Sequence, residues 1–405
     1  MRKASLFFGV LMVDEVKNKI LVTGANTFVG REVVKNLSES GYSIIQLLDQ
    51  YNIADVEAKS VDAVALIHMD YLAQTASTSE NELIETNLKL PLKVAAVVRS
   101  AGVKKFINVT SVHALPGGDK GPYSVSRRIL VNELLKIKNL NVVNIFRAAP
   151  YNNWVFSGRL SVFNRLPVVL KQALFRVFKS IAATSNVKAV SDAIEEALND
   201  NCQSERIVTD GQSKSLMYWF FQHAVNLSFS IACVLLFWWL LAFVWMAVKI
   251  GSAGPGLFLQ DRVGRDGKIF KCVKFRTMFV ETQNLGTHQV SQAAVTKVGR
   301  FLRRTKLDEL PQLWNLLKGE MSLIGPRPCL PSQTELIRER KQKNILSIKP
   351  GITGFAQVND IDMSDPYELA NWDSRYLKLC SIAFDLKILK STFLGGGQGD
   401  KVNNK

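Results

Sequence analysis

Asp308 and Glu309 stand side by side in Leu307-Asp308-Glu309-Leu310-Pro311-Gln312-Leu313, inside the basic run KVGRFLRRTKLDELPQLWNLLKGEMSLIGPRP that spans residues 297–328. Adjacent side chains on a helix diverge by about 100°, so these two carboxylates need not do the same work. An ionised Asp can attack phosphorus and form an acyl phosphate. The neighbouring Glu can hold Mg²⁺, a hard cation that takes oxygen ligands and keeps contact with substrate phosphates. Arg303, Arg304 and Lys306 favour the ionised carboxylate wherever they lie close. Taken alone, an Asp-Glu pair is most often a solvated helix face. Gly325-Pro326-Arg327-Pro328 is a second signal. Its prolines fix the backbone on either side of Arg327, and a guanidinium so held can grip a phosphate bidentately with little entropy left to lose. A plain turn has the same composition. Lys274 and Arg276, in Lys274-Phe275-Arg276-Thr277-Met278, place two more cations on one face of an expected strand. Gly351-Ile352-Thr353-Gly354, followed by Gln357 and Asn359, is expected as a tight loop bearing amide donors.

The composition suits phosphate chemistry at a membrane surface. A chain of 405 residues, 47% hydrophobic, has room for two or three packed domains. Its net charge is +16, and residues 251–350 alone carry 18 Lys/Arg against 8 Asp/Glu. Such a surface attracts nucleic acid, acidic lipid headgroups or phosphorylated substrates. No nucleic-acid recognition motif is present, and a nucleic-acid binder would leave the long apolar run unexplained. Five cysteines and four histidines are scattered without metal-ligand spacing. This fits a reducing compartment and excludes a Cys/His zinc site.

The elements that must position these groups fall into an ordered series. Residues 1–17 begin like a weak signal peptide, but Asp14-Glu15 follow with no small-residue cleavage site, so a short N-terminal extension is expected. Over residues 18–210, strand-like runs at Ile20–Val22, Ser43–Leu48, Ala63–His68, Lys105–Val109 and Val142–Ile145 alternate with helical patterns. That alternation predicts an α/β fold with a Rossmann-like parallel sheet. Residues 215–250 hold 34 consecutive residues, Ser215–Val248, without Asp, Glu, Lys or Arg. As one helix they would be about 50 Å long, beyond the roughly 30 Å hydrocarbon core, and their tryptophans suit an interface. A membrane-inserted helix is expected. Residues 251–394 show no βαβ alternation and predict a small α+β domain. Val298, Phe301, Leu302, Leu310, Leu313, Trp314 and Leu317 share one helical spacing, and Leu369, Trp372, Tyr376, Leu379, Ala383, Leu386 and Leu389 share another. The first of these, basic on its other side, is expected as an amphipathic helix in the membrane interface. Residues 395–405 are expected as a flexible tail.

Three blocks in order, GPGLFLQDRVGRDGKIFKCVKFRTM (254–278), TKVGRFLRRTKLDELPQLWNLLKGEMSLIGPRP (296–328) and KPGITGFAQVN (349–359), make this region resemble the bacterial sugar transferases, the monotopic phosphoglycosyl transferases. The resemblance implies transfer of a sugar-1-phosphate from a UDP-sugar to undecaprenyl phosphate with release of UMP. In that reading Asp308 is the covalent nucleophile, Glu309 the Mg²⁺ ligand and Arg327 a phosphate-binding residue. Lys274 and Arg276 are further phosphate contacts, and Gln357 and Asn359 belong to a substrate loop. The product would start a surface glycan such as O-antigen, capsule or exopolysaccharide at the bacterial inner membrane, with both soluble domains on the cytoplasmic face. Membrane lipid is an expected partner; downstream glycosyltransferases and a second copy of the chain are left open. Family members usually break the membrane helix at Ser-Pro, and no proline occurs in Ser215–Val248. Two full crossings would need about 40 apolar residues, so a re-entrant hairpin is still expected. A non-catalytic scaffold for glycan assembly is the reading from another class.

TGANTFVG (23–30) resembles the glycine-rich turn of extended short-chain dehydrogenases and sugar-nucleotide epimerases. Gly24 and Gly30 match its first and last glycines, and Thr27 replaces the middle one. Tyr123 and Arg127 occupy the family's Tyr-x-x-x-Lys, with Arg for Lys; His68 and Asn87 match further blocks. The resemblance implies an NAD(P) site at Gly24, Gly30, Tyr123 and Arg127. The departures at Thr27 and Arg127, and the short length before the membrane segment, point to a degenerate domain that is structural or binds a nucleotide without turnover. The alternative is a bifunctional chain whose first domain reduces or epimerises the UDP-sugar.

Overall fold

The computed structural model describes residues 17–47, 51–73, 75, 77–280 and 294–396. The expected N-terminal extension, apart from Lys17, and the tail beyond Gly396 lie outside them. The chain forms two compact units, Met1–Val168 with Thr184–Thr209, and Val169–Ala183 with Asp210–Lys405.

The first unit is built on a sheet in the order β2-β1-β3-β4-β5-β9, with every neighbouring pair parallel. Its strands are β1 (Lys17–Thr23), β2 (Tyr42–Leu47), β3 (Ala63–His68), β4 (Lys105–Ser111) and β5 (Asn141–Arg147). A small second sheet comprises β6 (Ala149–Asn152), β7 (Val155–Phe156) and β8 (Thr184–Asn186), after which β9 (Ser204–Val208) closes the large one. Side chains alternate across each strand. Ile20, Val22, Ile107, Val143 and Ile145 therefore meet helices Phe28–Glu39 and Val187–Asn199 on one face, while Leu21, Leu66, Phe106 and Val142 meet helices Leu90–Ser100 and Pro122–Leu135 on the other. Burial on both faces explains why these strands read as near-continuous apolar runs.

The second unit surrounds one helix, Leu216–Gly251, 36 residues without interruption. The expected re-entrant hairpin is not seen. The helix contains no proline, and the polar residues that could have softened it are engaged. Asn226 donates to Ser322 Oγ (3.1 Å) and accepts from the Leu323 amide (3.0 Å). Ser228 and Ser230 donate back to the carbonyls of Ala224 and Asn226, a local bond that the helix absorbs. Tyr218 and Val244 and Val248, near its two ends, are buried in the unit, whereas Phe220, Leu235, Leu236, Trp238 and Phe243 are exposed. By length and composition the helix suffices to cross a membrane. A hairpin of β10 (Leu257–Val263) and β11 (Ile269–Phe275) is antiparallel. β12 (Ser322–Ile324) pairs in parallel with β13 (Gly351–Thr353). Helices Thr334–Gln342, Pro366–Leu379 and Ile382–Phe393 complete the unit. The last two share the apolar spacing read as one pattern; they part at Cys380, whose extended backbone leads to Ser381 as the next N-cap.

Candidate active site

The two carboxylates lie on a break between helices. Helix Lys297–Thr305 ends at Lys306, which takes a left-handed φ of 57°. A 3-10 turn, Leu307–Gln312, follows with Pro311 inside it, and helix Leu313–Leu317 begins afterwards. The single amphipathic helix expected from Val298 to Leu317 is thus two helices and a turn. Pro311 cannot donate a backbone hydrogen bond, and the left-handed residue ends the first helix as an αL cap. Leu307 and Leu310 pack with Phe275 and Leu302 against Val244 and Val248 of the long helix.

This packing sets the turn beside β11. Lys274 Nζ lies 2.8 Å from Glu309 Oε1, and Arg327 Nη2 lies 3.6 Å from the same oxygen. Burial opposes the charge on Glu309, but Lys274 and Arg327 outweigh it and hold the carboxyl down at about 2. Asp308 goes the other way. Burial and the charge of Glu309 push it up to about 6, against the pull of Lys274 and Arg303. The basic cluster therefore lowers Asp308 less than its surroundings raise it. Two adjacent carboxyls with pKa values driven apart carry different roles.

Arg327 is held by its backbone. Arg340 donates to the Arg327 carbonyl (2.8 Å) and forms a buried ion pair with Asp373 (2.7 Å). Arg262 donates to the Pro328 carbonyl (2.7 Å) and grips Gln260. The Gly325 and Gly351 amides donate to Thr353 and Pro326 carbonyls, both at 2.9 Å. A Cβ at Gly354 would lie 2.2 Å from the Gly325 oxygen, and one at Gly351 would lie 2.2 Å from the Gly325 nitrogen. The Gly-Pro-Arg-Pro and Pro-Gly-Ile-Thr-Gly blocks are therefore one structural piece, packed backbone to backbone.

Other expected site residues are placed differently. The Arg276 guanidinium donates to the carbonyls of Ala253 and Ser252 and to Ser252 Oγ, securing the exit of the long helix, while the residue also lines the cavity that holds Asp308. Asn359 donates to the Phe355 carbonyl and stabilises its own turn. Gln357 faces the cavity that holds Asp308, and its buried Oε1 has no partner. That cavity, of about 1100 Å³, is lined by Lys274, Arg303, Asp308, Glu309 and Arg327 together with Phe229 and Cys233 of the long helix, Phe258, Leu323, Ile352 and Leu389. Arg262, Arg340 and Asp373 escaped the sequence reading. Arg262 lies inside a quoted block, but Arg340 and Asp373 are 33 residues apart on separate helices and carry no local signal.

Among the described residues no three His, Cys, Asp or Glu side chains gather as a metal site. A Mg²⁺ ion requires only one or two protein carboxylates when substrate phosphates and water complete its shell. Asp308 and Glu309 meet that minimum, although one oxygen of Glu309 already faces two cations.

In the first unit, Gly24 takes φ +69°, and a Cβ there would lie 2.7 Å from the Asp70 amide; one at Gly30 would lie 2.0 Å from the Gly24 oxygen. Thr27 caps the following helix, accepting from the Gly30 amide (2.9 Å) and donating to the Gly24 carbonyl (2.8 Å). Arg127 is 1% exposed, bonds the Tyr123 hydroxyl and stacks 3.6 Å from the Tyr71 ring centre. A second guanidinium, Arg147, is pushed down to about 10 by burial and by Arg127. His68 bonds Thr23 Oγ1 (2.8 Å) and is pushed down to about 3 by burial and Arg127, so it is neutral. Asn87 ties both backbone groups of Leu72. At the position of the family's middle glycine the structure thus has a side chain whose hydroxyl caps the helix through the Gly30 amide.

A family model described as bacterial sugar transferase matches residues 217–396, and one described as NAD dependent epimerase/dehydratase family matches residues 20–133. The UDP-glucose:undecaprenyl-phosphate glucose-1-phosphate transferase of Escherichia coli K12 is 43% identical over 160 residues, covering 37% of this chain and 34% of that protein. Galactosyl transferase CpsE of Streptococcus agalactiae is 38% identical over 164 residues, covering 36% of each. The chain thus spans about a third of the length of these two relatives. It spans 69% of a shorter one, the uncharacterized sugar transferase EpsL of Bacillus subtilis, at 45% identity over 145 residues and 35% of this chain. A solved structure of MoeE5 with UDP-glucuronic acid and NAD is similar over 48% of this chain and 77% of that one, at 15% identity and a TM-score of 0.40, a likeness on which nothing here rests. With its second unit matched by the family model and by a relative covered over more than two thirds of its length, the chain belongs to the bacterial sugar transferase family.

Proposed function

We propose that the second unit transfers a sugar-1-phosphate from a UDP-sugar to undecaprenyl phosphate. The observation that carries this reading is the cavity, in which Asp308 and Glu309, of opposed acidity, and the cations Lys274, Arg303 and Arg327 among others share a space with apolar side chains of the membrane-type helix. A carboxylate oxygen of Asp308 attacks the sugar-bearing phosphorus, the phosphoanhydride bond breaks, and its electron pair leaves on UMP. An oxygen of the lipid phosphate then attacks the same phosphorus, and the Asp308 carboxylate departs. No proton transfer is required at Asp308, only that it be ionised. Lys274 and Arg327 hold Glu309 charged and offer positive potential to the diphosphate. Glu309 would hold Mg²⁺, which when bound offsets charge on the diphosphate. The apolar wall suits a polyprenyl chain, and the reaction would start a surface glycan at the cytoplasmic face of the inner membrane.

The test is UMP release from a panel of UDP-sugars with undecaprenyl phosphate, together with intact-mass detection of a phosphosugar adduct in the absence of lipid acceptor. An adduct that survives Asp308→Asn, or UMP release without any adduct, overturns the mechanism. No release across the panel by folded protein leaves the scaffold reading.

For the first unit we propose nucleotide binding or architecture rather than hydride turnover, on the capped turn and the Arg127–Tyr71 stack. The epimerase match over residues 20–133 and the retained cation at the Tyr123 hydroxyl favour the bifunctional alternative. Tight NAD(H) binding with turnover of a UDP-4-keto sugar would decide for that alternative.

A further inference from the structure

Helix Val168–Ile181 belongs to the second unit, although it interrupts the sequence of the first and lies outside both matched regions. It is amphipathic with its apolar side turned outward. Leu170, Leu174, Val177 and Ile181 follow i, i+4, i+7, i+11 spacing and are 47%, 37%, 38% and 41% exposed. Buried instead are Phe175, at 3%, and Ser180, at 1%. A helix on a soluble protein turns such a stripe to the core. Here the inward side is pinned by polar contacts: Ser180 Oγ meets Ser215 Oγ at 3.0 Å, and Lys179 pairs with Asp210 at 3.3 Å. Ser215 is the N-cap of the long helix, so the outward stripe is tied to the start of the unit's largest exposed apolar surface, where Leu216 is 83% and Phe220 70% exposed.

Charge identifies the occupant. The helix has no Asp or Glu, and none occurs between Glu133 and Asp192. At helical spacing Lys171 stands about 90° from the centre of the apolar stripe on one side and the exposed Arg176 about 130° on the other, and long cationic side chains so placed can reach towards the headgroup layer while their stems stay on apolar surface. A second protein copy would bring the same positive charge to the same face.

We propose that helix Val168–Ile181 is a second membrane-docking element, laying Leu170, Leu174, Val177 and Ile181 on an anionic lipid bilayer beside the start of the long helix. The proposal requires the long helix to be in the membrane but not the transfer chemistry. The test uses the full chain reconstituted in phosphatidylcholine vesicles with and without phosphatidylglycerol, a bilayer-confined carbene reagent, and peptide mapping by mass spectrometry. The expected result is labelling of the 170–181 peptide, rising severalfold with phosphatidylglycerol, alongside labelling of Leu235–Phe243. The paired substitution Leu174→Glu with Val177→Glu, at exposed positions that a folded chain tolerates, should abolish the first label and leave the second. Label confined to the long helix overturns the proposal, as does label indifferent to lipid charge. Cross-linking of the 170–181 peptide to its counterpart in another copy, without lipid labelling, assigns the face to self-association and overturns it too. Absence of label from both helices rejects the membrane location itself.

Discussion

Replacing Asp308 by Asn keeps the size of the side chain and, on the proposed mechanism, removes the nucleophile. The expected loss in UMP release is roughly four orders of magnitude or more, as for other residues that form the covalent bond, with no adduct in the intact mass. Because Asp308 is raised to about 6 and must be ionised, kcat/KM should fall as pH drops through about 6. Glu309→Gln removes a negative neighbour and should move that acid limb of the residual activity to lower pH; Lys274→Met removes a cation and should move it higher. A limb unmoved by both would separate it from Asp308. Glu309 contributes to stability in the opposite sense. Its folded pKa of about 2 lies below the ordinary 4.5, so the contribution is present above the ordinary value and is lost as pH falls towards 2. The resemblance to the sugar transferases singled out Asp308, Glu309, Lys274 and Arg327; residue types alone did not, since a carboxylate pair is most often a solvated helix face. Composition also could not show that the Arg276 guanidinium, at the cavity wall, is engaged by the carbonyls at the end of the long helix, because it does not say which way a strand residue points.

Arg327 owes its position to two elements that never announce themselves locally. Asp373→Ala would leave Arg340 charged and unpaired in the interior, a change that costs about 3–5 kcal/mol, and would free the carbonyl side of the Arg327 loop. Thermal unfolding should register the first effect, and an elevated KM for the UDP-sugar the second. Gly354→Ala forces a methyl group against the Gly325 carbonyl and should cost about 1–3 kcal/mol. The inner strands of the first unit were legible because burial on both faces leaves near-continuous apolar runs, and β1, β3, β4 and β5 fall where those runs lie. The elements around the catalytic turn were less so. Apolar spacing from Val298 to Leu317 continues through Pro311 as though one helix ran on. The left-handed Lys306 and the packing of Leu307 and Leu310 on the long helix are tertiary facts that no window of sequence contains.

At the scale of the molecule, the long helix has the length and composition to join the second unit to a bilayer. Alkaline carbonate should leave the chain in the membrane pellet, with detergent needed to release it; recovery in the supernatant would count against insertion. Asn226→Ala should strip the Leu323 amide of its partner and cost about 1–3 kcal/mol, read as a lower unfolding midpoint in detergent. The membrane segment was legible from 34 uncharged residues in a row, but its continuity as one helix was not. Asn226, Ser228 and Ser230 look like weak points until Ser322 and Leu323 are found opposite the first of them. One cavity contains Asp308, its cations and the apolar wall, and this has a kinetic corollary. On the proposed mechanism donor and acceptor take turns in the same chamber: initial-rate plots should form parallel lines, surplus prenyl phosphate should slow turnover by excluding the sugar nucleotide, and UMP should compete with the prenyl phosphate.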